Sequence, residues 1–126
     1  MPRQLVSSGG PFEQTYGYSR AVRVGAHVHV AGTAARGDAL ARDAYAQTQN
    51  ILATIREALH QAGARVEDVV RTVIYVTNID DADLVGRAQR EVFGDIRPAS
   101  TMVQVSGLIR PEMLVEIEAY AVVGDS

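Results

Sequence analysis

The sequence predicts a single α+β domain: one mixed sheet with two helices packed on the same face. Three observations predict it. Two segments carry apolar residues at three- and four-residue steps, the period of an amphipathic helix. Several others are β-branched or alternate apolar with polar, the period of a strand. Their order is β-β-β-α-β-α-β-β, and no linker or internal repeat splits the 126 residues, so one domain spans 1–126.

Residues 3 to 6 read as a short edge strand. Ser7 to Gly17, rich in Gly and Ser with a Pro, reads as a loop. Tyr18 to Val24 and His27 to Ala35 read as two strands joined by Gly25-Ala26, a hairpin. Gly32 inside the second suggests a bulge or a close backbone approach. Arg36 to Arg42 is a connection. Ala44 to Ala62 is the clearest helix: Ala44, Thr48, Ile51, Leu52, Ile55, Leu59 and Ala62 form one stripe. Asp43 is its expected N-cap and Gly63 its C′ residue. Val69 to Thr77 is a strand. Asp80 or Asp81 is expected to cap a second helix, with Leu84, Val85, Ala88 and Val92 facing inward and Gly94 ending it.

Two strands close the chain. Ala99 to Leu108 alternates, with Ser100, Met102, Gln104 and Ser106 on one side. Leu114 to Val123 sets Val115, Ile117, Ala119 and Ala121 on one face and Glu116, Glu118 and Tyr120 on the other. Strand propensity disfavours Glu, so two carboxylates here need water or a polar pocket. The sheet face away from the helices is expected to carry Glu116, Glu118, Gln104, Ser106 and Met102. Such a face is either wet or a subunit interface.

Composition narrows the function classes. The net charge is −3, and all twelve basic side chains are scattered arginines. A general nucleic-acid binder would show a basic stripe. No run approaches the ~20 apolar residues of a membrane span. The first ten residues lack a signal-peptide core. A cytoplasmic protein without nucleic-acid or membrane partners is expected. The absence of Cys excludes disulfides and thiolate chemistry. His27 and His29 share a strand face, but no third ligand joins them, so no metal is expected. No G-x-S-x-G elbow is present, and Gly9-Gly10 is too short for a phosphate loop.

The segments YSRAV (18–22), VHVAGTAA (28–35), QAGA (61–64), VVRTVIYVTNIDD (69–81), FGDIRPAS (93–100) and LVEIEAYAV (114–122) resemble the RidA/YjgF family, the reactive intermediate deaminases, also called L-PSP endoribonucleases. The resemblance runs from about Leu5 to Val123. It implies a chorismate-mutase-like homotrimer with an inner β-barrel and three pockets at subunit interfaces. It also implies cofactor-free hydrolysis of small 2-imino or 2-enamino acids to 2-oxo acids and ammonia. Carried over residue by residue, Glu116 resembles the glutamate that orients the attacking water, Tyr18 the pocket tyrosine, and Gly32 the glycine whose carbonyl faces the pocket.

The chain departs from the family pattern at its cation. The family's P-A-R-[ST] reads Pro98-Ala99-Ser100-Thr101 here, so Ser100 stands where an arginine pairs with the substrate carboxylate. Met102 stands at a position often Cys, and Gly86 at one often Asn. Losing a bidentate guanidinium costs about tenfold or more in binding an acid, unless Arg97, Arg20 or Arg110 substitutes. The expected site is thus Glu116 and Tyr18 as catalytic groups. Gly32, Thr33, Ser100, Thr101, Met102 and Arg97 are the expected substrate contacts. The alternatives are a tautomerase or hydrolase of another small substrate, or a metabolite-binding module; RNA cleavage is disfavoured.

Overall fold

The apolar stripe forms the long helix α2 (Ala44–Gln61), with all seven of its residues buried. Asp43 caps it: its Oδ1 accepts from the Ala46 N–H at 2.9 Å. Gly63 follows at φ +81, where a side chain would be strained, and the Ala64 N–H closes back to the Leu59 carbonyl at 2.8 Å. The second periodic segment is α3 (Ala82–Phe93), with Val85, Ala88 and Phe93 buried. The strands are β1 (Arg3–Val6), β2 (Ala21–Val24), β3 (His27–Ala34), β4 (Val69–Val76), β5 (Ala99–Gln104) and β6 (Val115–Val122). This computed structural model describes residues 2–124.

The strands form one mixed sheet ordered β1-β2-β3-β6-β4-β5. All neighbours are antiparallel except β4 and β5. That parallel pair is joined through α3, as parallel neighbours require a crossover. The core lies between the sheet and the two long helices. Ile74, Val76, Val115, Ile117 and Ala119 face Ile51, Ile55, Leu59 and Val85. The α+β architecture read from the sequence is therefore the observed one.

Several expectations are corrected. Within Ser7–Gly17 lies a six-residue helix, α1 (Pro11–Tyr16), with Pro at its start. Strand β2 begins at Ala21 rather than at Tyr18. The connection 36–42 contains a 3-10 turn, Gly37–Ala41. Neither Asp80 nor Asp81 caps α3 through its side chain. Asn78 does the capping instead, on a 3-10 turn (Ile79–Asp81) that leads into the helix; its side chain accepts from the Asp80 N–H at 3.0 Å. Strand β5 ends at Gln104 rather than Leu108. Finally, Met102 is not on the open sheet face. It pairs with Ile74, which pairs with Ile117, so Met102 points to the helix side and packs on the core. Gln104, expected on the open face as well, pairs with Val76, which pairs with the core residue Val115, so it too lies on the helix side.

Candidate functional site

From Val30 to Thr33 strand β3 advances three residues, while β6 advances two, from Ala119 to Ile117. The extra residue is a β-bulge at Ala31-Gly32. Thr33 turns into the core, 1% exposed, and donates its hydroxyl to the Ala31 carbonyl at 2.8 Å. Beside the bulge Ala34 pairs with Glu116. The Glu116 carboxylate lies against Gly32: a Cβ at position 32 would stand 2.6 Å from its Oε2. Gly32 is thus a close-approach glycine, and the carboxylate uses the space.

Glu116 is half-buried. Burial raises its pKa above the usual carboxylate value; the Glu118 charge adds to the rise and Arg20 opposes it. No side-chain hydrogen bond or ion pair among the described residues engages Glu116. Its neighbour Glu118 is fully engaged, accepting from the Tyr75 hydroxyl at 3.1 Å and the Tyr120 hydroxyl at 3.0 Å. Both phenols titrate above their ordinary value, through burial and then through that carboxylate. Glu118 therefore holds structure, and Glu116 remains available to a proton or a water.

Behind Gly32 stands a charged cluster. Arg20, only 5% exposed, donates from Nη1 to the Gly32 carbonyl at 2.7 Å and to Thr33 Oγ1 at 2.9 Å. Its Nη2 donates to the Tyr18 hydroxyl at 3.1 Å. Its Nε faces Glu13 Oε2 at 3.7 Å. Glu13 is itself buried at 6% and accepts from the Ser8 hydroxyl and from the Ser8 N–H at 3.2 Å. Burial pushes the Glu13 pKa up, but hydrogen bonds from Ser8 and Ser7 and the Arg20 charge outweigh it, so the net shift is downward. The Gly32 carbonyl is thus held by the Arg20 guanidinium at the bulge.

Two hollows flank this constellation. One, of about 270 Å³, is walled by Tyr18, Arg20, Gly32, Thr33, Arg110 and Met113 among others. The other is a more open trough on the sheet face away from the helices, with His29, Glu118, Tyr120 and Tyr18. Glu116 lines neither; it adjoins the first through Gly32 and the second through Glu118. Among the described residues no three His, Asp or Glu side chains gather as metal ligands, and no helix is long and apolar enough to cross a membrane.

A family profile described as Endoribonuclease L-PSP matches residues 11–123. The chain belongs to that family, the RidA/YjgF proteins. An uncharacterized Streptomyces coelicolor protein is 42% identical over 126 residues, covering 96% of this chain and 94% of that protein. A Mycobacterium tuberculosis crystal structure, described as a member of the highly conserved YjgF family, matches with TM-score 0.91 and 53% identity, over 97% of this chain and all of that one. The 3-aminoacrylate deaminase of Acinetobacter baylyi is 38% identical over 79 residues, 63% of this chain and 62% of that protein.

In this RidA/YjgF chain the sequence-derived residues fall into two groups. Tyr18, Gly32, Thr33 and Glu116 come together on neighbouring elements. Ser100, Thr101 and Met102 lie on the edge strand β5, two strands from β6, about 10 Å away at ordinary strand spacing. Ser100 pairs with Thr72 and accepts its hydroxyl hydrogen bond at 2.8 Å; Gln89 donates to Thr72 at 2.9 Å. Thr101 pairs with Val73, and Val73 with Glu118, so Thr101 shares the open sheet face. Arg97 sits in a loop at φ +58, exposed, and lines neither hollow. The sequence reading missed Glu13 and missed Arg20 as the clamp on Gly32. A readable signal existed: Pro11 after Gly10 with Glu13 in the next turn is a helix start.

Proposed function

We propose that the chain is a hydrolase of small 2-imino or 2-enamino acids, releasing the 2-oxo acid and ammonia at pockets formed between protomers of a homotrimer. One observation carries the reading: a half-buried carboxylate with a raised pKa and no hydrogen-bonding partner, lodged against side-chain-free backbone. That is the environment of a general base tuned toward neutrality. The named activity of the Acinetobacter relative, on an enamine acid, supports the substrate class.

Glu116 accepts a proton from water as its oxygen attacks the imine carbon. The protonated imine thereby becomes a neutral carbinolamine; the same proton then passes to its nitrogen, and as the C–N bond breaks and ammonia leaves, the carbinolamine hydroxyl gives its own proton to the Glu116 carboxylate, leaving the 2-oxo acid. An enamine enters after protonation at its terminal carbon. The Gly32 carbonyl and the Tyr18 hydroxyl hold the water and substrate nitrogen in line.

The open sheet face supports assembly. Among the described residues no helix covers it, and Tyr75, Glu118 and Tyr120 share it with Val103, 41% exposed. In such an assembly β5 of one protomer closes the site of the next. The test is ammonia release from enzymatically generated 2-aminoacrylate. We expect wild-type release above buffer and loss in Glu116→Gln. Equal rates in both, or none in the wild type, overturn the deaminase reading.

A further inference from the structure

Arg20 straddles the bulge of β3. Its backbone carbonyl accepts from the Ala31 N–H at 2.9 Å, and its Nη1 donates to the next two residues, Gly32 and Thr33. Its Nη2 donates to the Tyr18 hydroxyl, and the guanidinium carbon stands 5.4 Å from the centre of the Tyr18 ring. An arginine can only donate, so Tyr18 accepts here and its own proton stays available to another partner. One buried side chain thus holds both groups that the proposed reaction uses beside Glu116. A substitution at position 20 keeps the backbone bond to Ala31, so the bulge retains that tie.

The charge of this side chain is a separate matter from its hydrogen bonds. The Nε makes no hydrogen bond and faces Glu13 Oε2 at 3.7 Å, so charge holds that side. Arg20 and Glu13 are 5% and 6% exposed. A buried ion pair is a poor source of stability, because desolvation offsets most of the attraction. What it does provide is a fixed cation behind Gly32, on whose other side Glu116 Oε2 fills the space of the missing Cβ. Several charged or titratable groups surround Glu116. Glu118 shares its face of β6, and Tyr75 is its partner on β4. Arg36 and Arg110 line the same hollow as Gly32 and Arg20. Ala34, its partner on β3, and Val103, beside Tyr75 on β5, carry no charge. Burial and the Glu118 charge push the Glu116 pKa up, and Arg20 pulls it down.

We propose that Arg20 is a positioning residue for the reaction: it holds Tyr18 and Gly32 in register with the Glu116 carboxylate and, with Glu13 as counter-ion, supplies the buried positive charge that acts on that carboxylate. The charge keeps Glu116 from holding its proton too tightly to serve as a base near neutrality. The kinetic half rests on the reading of Glu116 above; the electrostatic half does not.

The experiment deletes the pair in the whole protein, Arg20→Gln with Glu13→Gln, so that neither buried charge is left alone. Arg20→Met with Glu13→Gln repeats the charge deletion without the amide's hydrogen bonds. Arg20→Lys keeps the charge and loses the planar fork. The first readout is the NMR titration of the Glu116 carboxyl carbon, assigned by its loss in Glu116→Gln. Its midpoint is expected to rise by about half a pH unit or more in both double variants and to stay at the wild-type value in Arg20→Lys. Loosening of the site would admit water and lower the midpoint, so a rise is not a structural side effect. The second readout is the pH profile of kcat for 2-aminoacrylate. Its inflection is expected to move to higher pH with the midpoint. The plateau kcat is expected to fall about tenfold or more in the Arg20→Met pair, with KM changing far less. Arg20→Lys is expected to give an intermediate kcat at the wild-type inflection. An unmoved or lowered midpoint in the double variants, or full kcat in the Arg20→Met pair, overturns the proposal, whatever the melting temperatures do. A raised midpoint in a protein that never turns over 2-aminoacrylate upholds the charge assignment and removes the deaminase reading. Turnover with an unmoved midpoint does the reverse.

Discussion

The Glu116 carboxylate fills the place where a side chain at position 32 would be, with its Oε2 2.6 Å from where the Cβ of residue 32 would stand. Gly32→Ala forces that oxygen to move. The clash is with the end of a flexible side chain, and residue 32 is not in the left-handed region. The variant is therefore expected to fold, at a cost of about 1–3 kcal/mol by overpacking. Its turnover is expected to fall by about a hundredfold or more, since a general base displaced by an ångström loses its geometry. Thermal melting beside kcat checks this; a loss of stability with full activity refutes it.

Glu116→Gln is expected to gain stability at neutral pH while losing turnover. The folded-state pKa of Glu116 is raised. Its contribution to stability is therefore fullest below the unfolded value of about 4.3 and is lost as pH rises through the folded value. An amide escapes that loss. Melting temperatures of the two proteins should converge in acid and part near neutrality, with the variant higher. The rate of the wild type should climb with pH through an inflection above the ordinary carboxylate range. An inflection at an ordinary carboxylate pKa would contradict the assignment.

Arg20→Ala strands the buried Glu13 charge and is expected to cost about 3–5 kcal/mol, the usual result of removing one member of a buried pair. Adding Glu13→Gln should return part of it. The Glu13 pKa is lowered. The stability it contributes is present above its unfolded value, and is lost as pH falls through the folded one. Glu13→Gln alone should flatten the acid limb of the stability profile. Urea denaturation at stepped pH measures both; an additive double mutant would mean the two side chains do not interact.

A shared pocket has a clear genetic signature. Glu116→Gln and Ser100→Trp chains, each of low activity alone, are expected to recover activity when unfolded together and reassembled, because some mixed pockets then carry neither substitution. Light scattering on the same samples should give three protomers. Full activity of Ser100→Trp by itself would place the whole site inside one chain.

Most of the fold was legible because burial imposes period. The α2 stripe and the Val115, Ile117, Ala119 and Ala121 alternation each admit one reading, and both hold. Half of the candidate site was legible too, since a glycine within a strand and a carboxylate in an apolar strand are each unfavourable unless something uses them. The Glu13 and Arg20 pair was not. Helix α1 spans six residues, too few for a period to show, and its flanking Gly and Ser read as loop. Gln47 was hidden for a different reason. It is fully buried and joins the Arg42 and Glu112 carbonyls and the Leu114 N–H, so it ties α2 to the entry of β6. Its partners lie as far as 67 residues away in sequence, and no local pattern announces them.

The sheet order has a consequence for synthesis. The strand inserted between β3 and β4 is β6, the sixth of six in chain order. While a ribosome is still making residues before 115, the amino-terminal hairpins and the β4–α3–β5 unit have no strand to join them. The same late segment carries Glu116, so a nascent chain acquires its central hydrogen-bond ladder and its reactive carboxylate in one event. Partially translated protein is expected to be both protease-sensitive and inert.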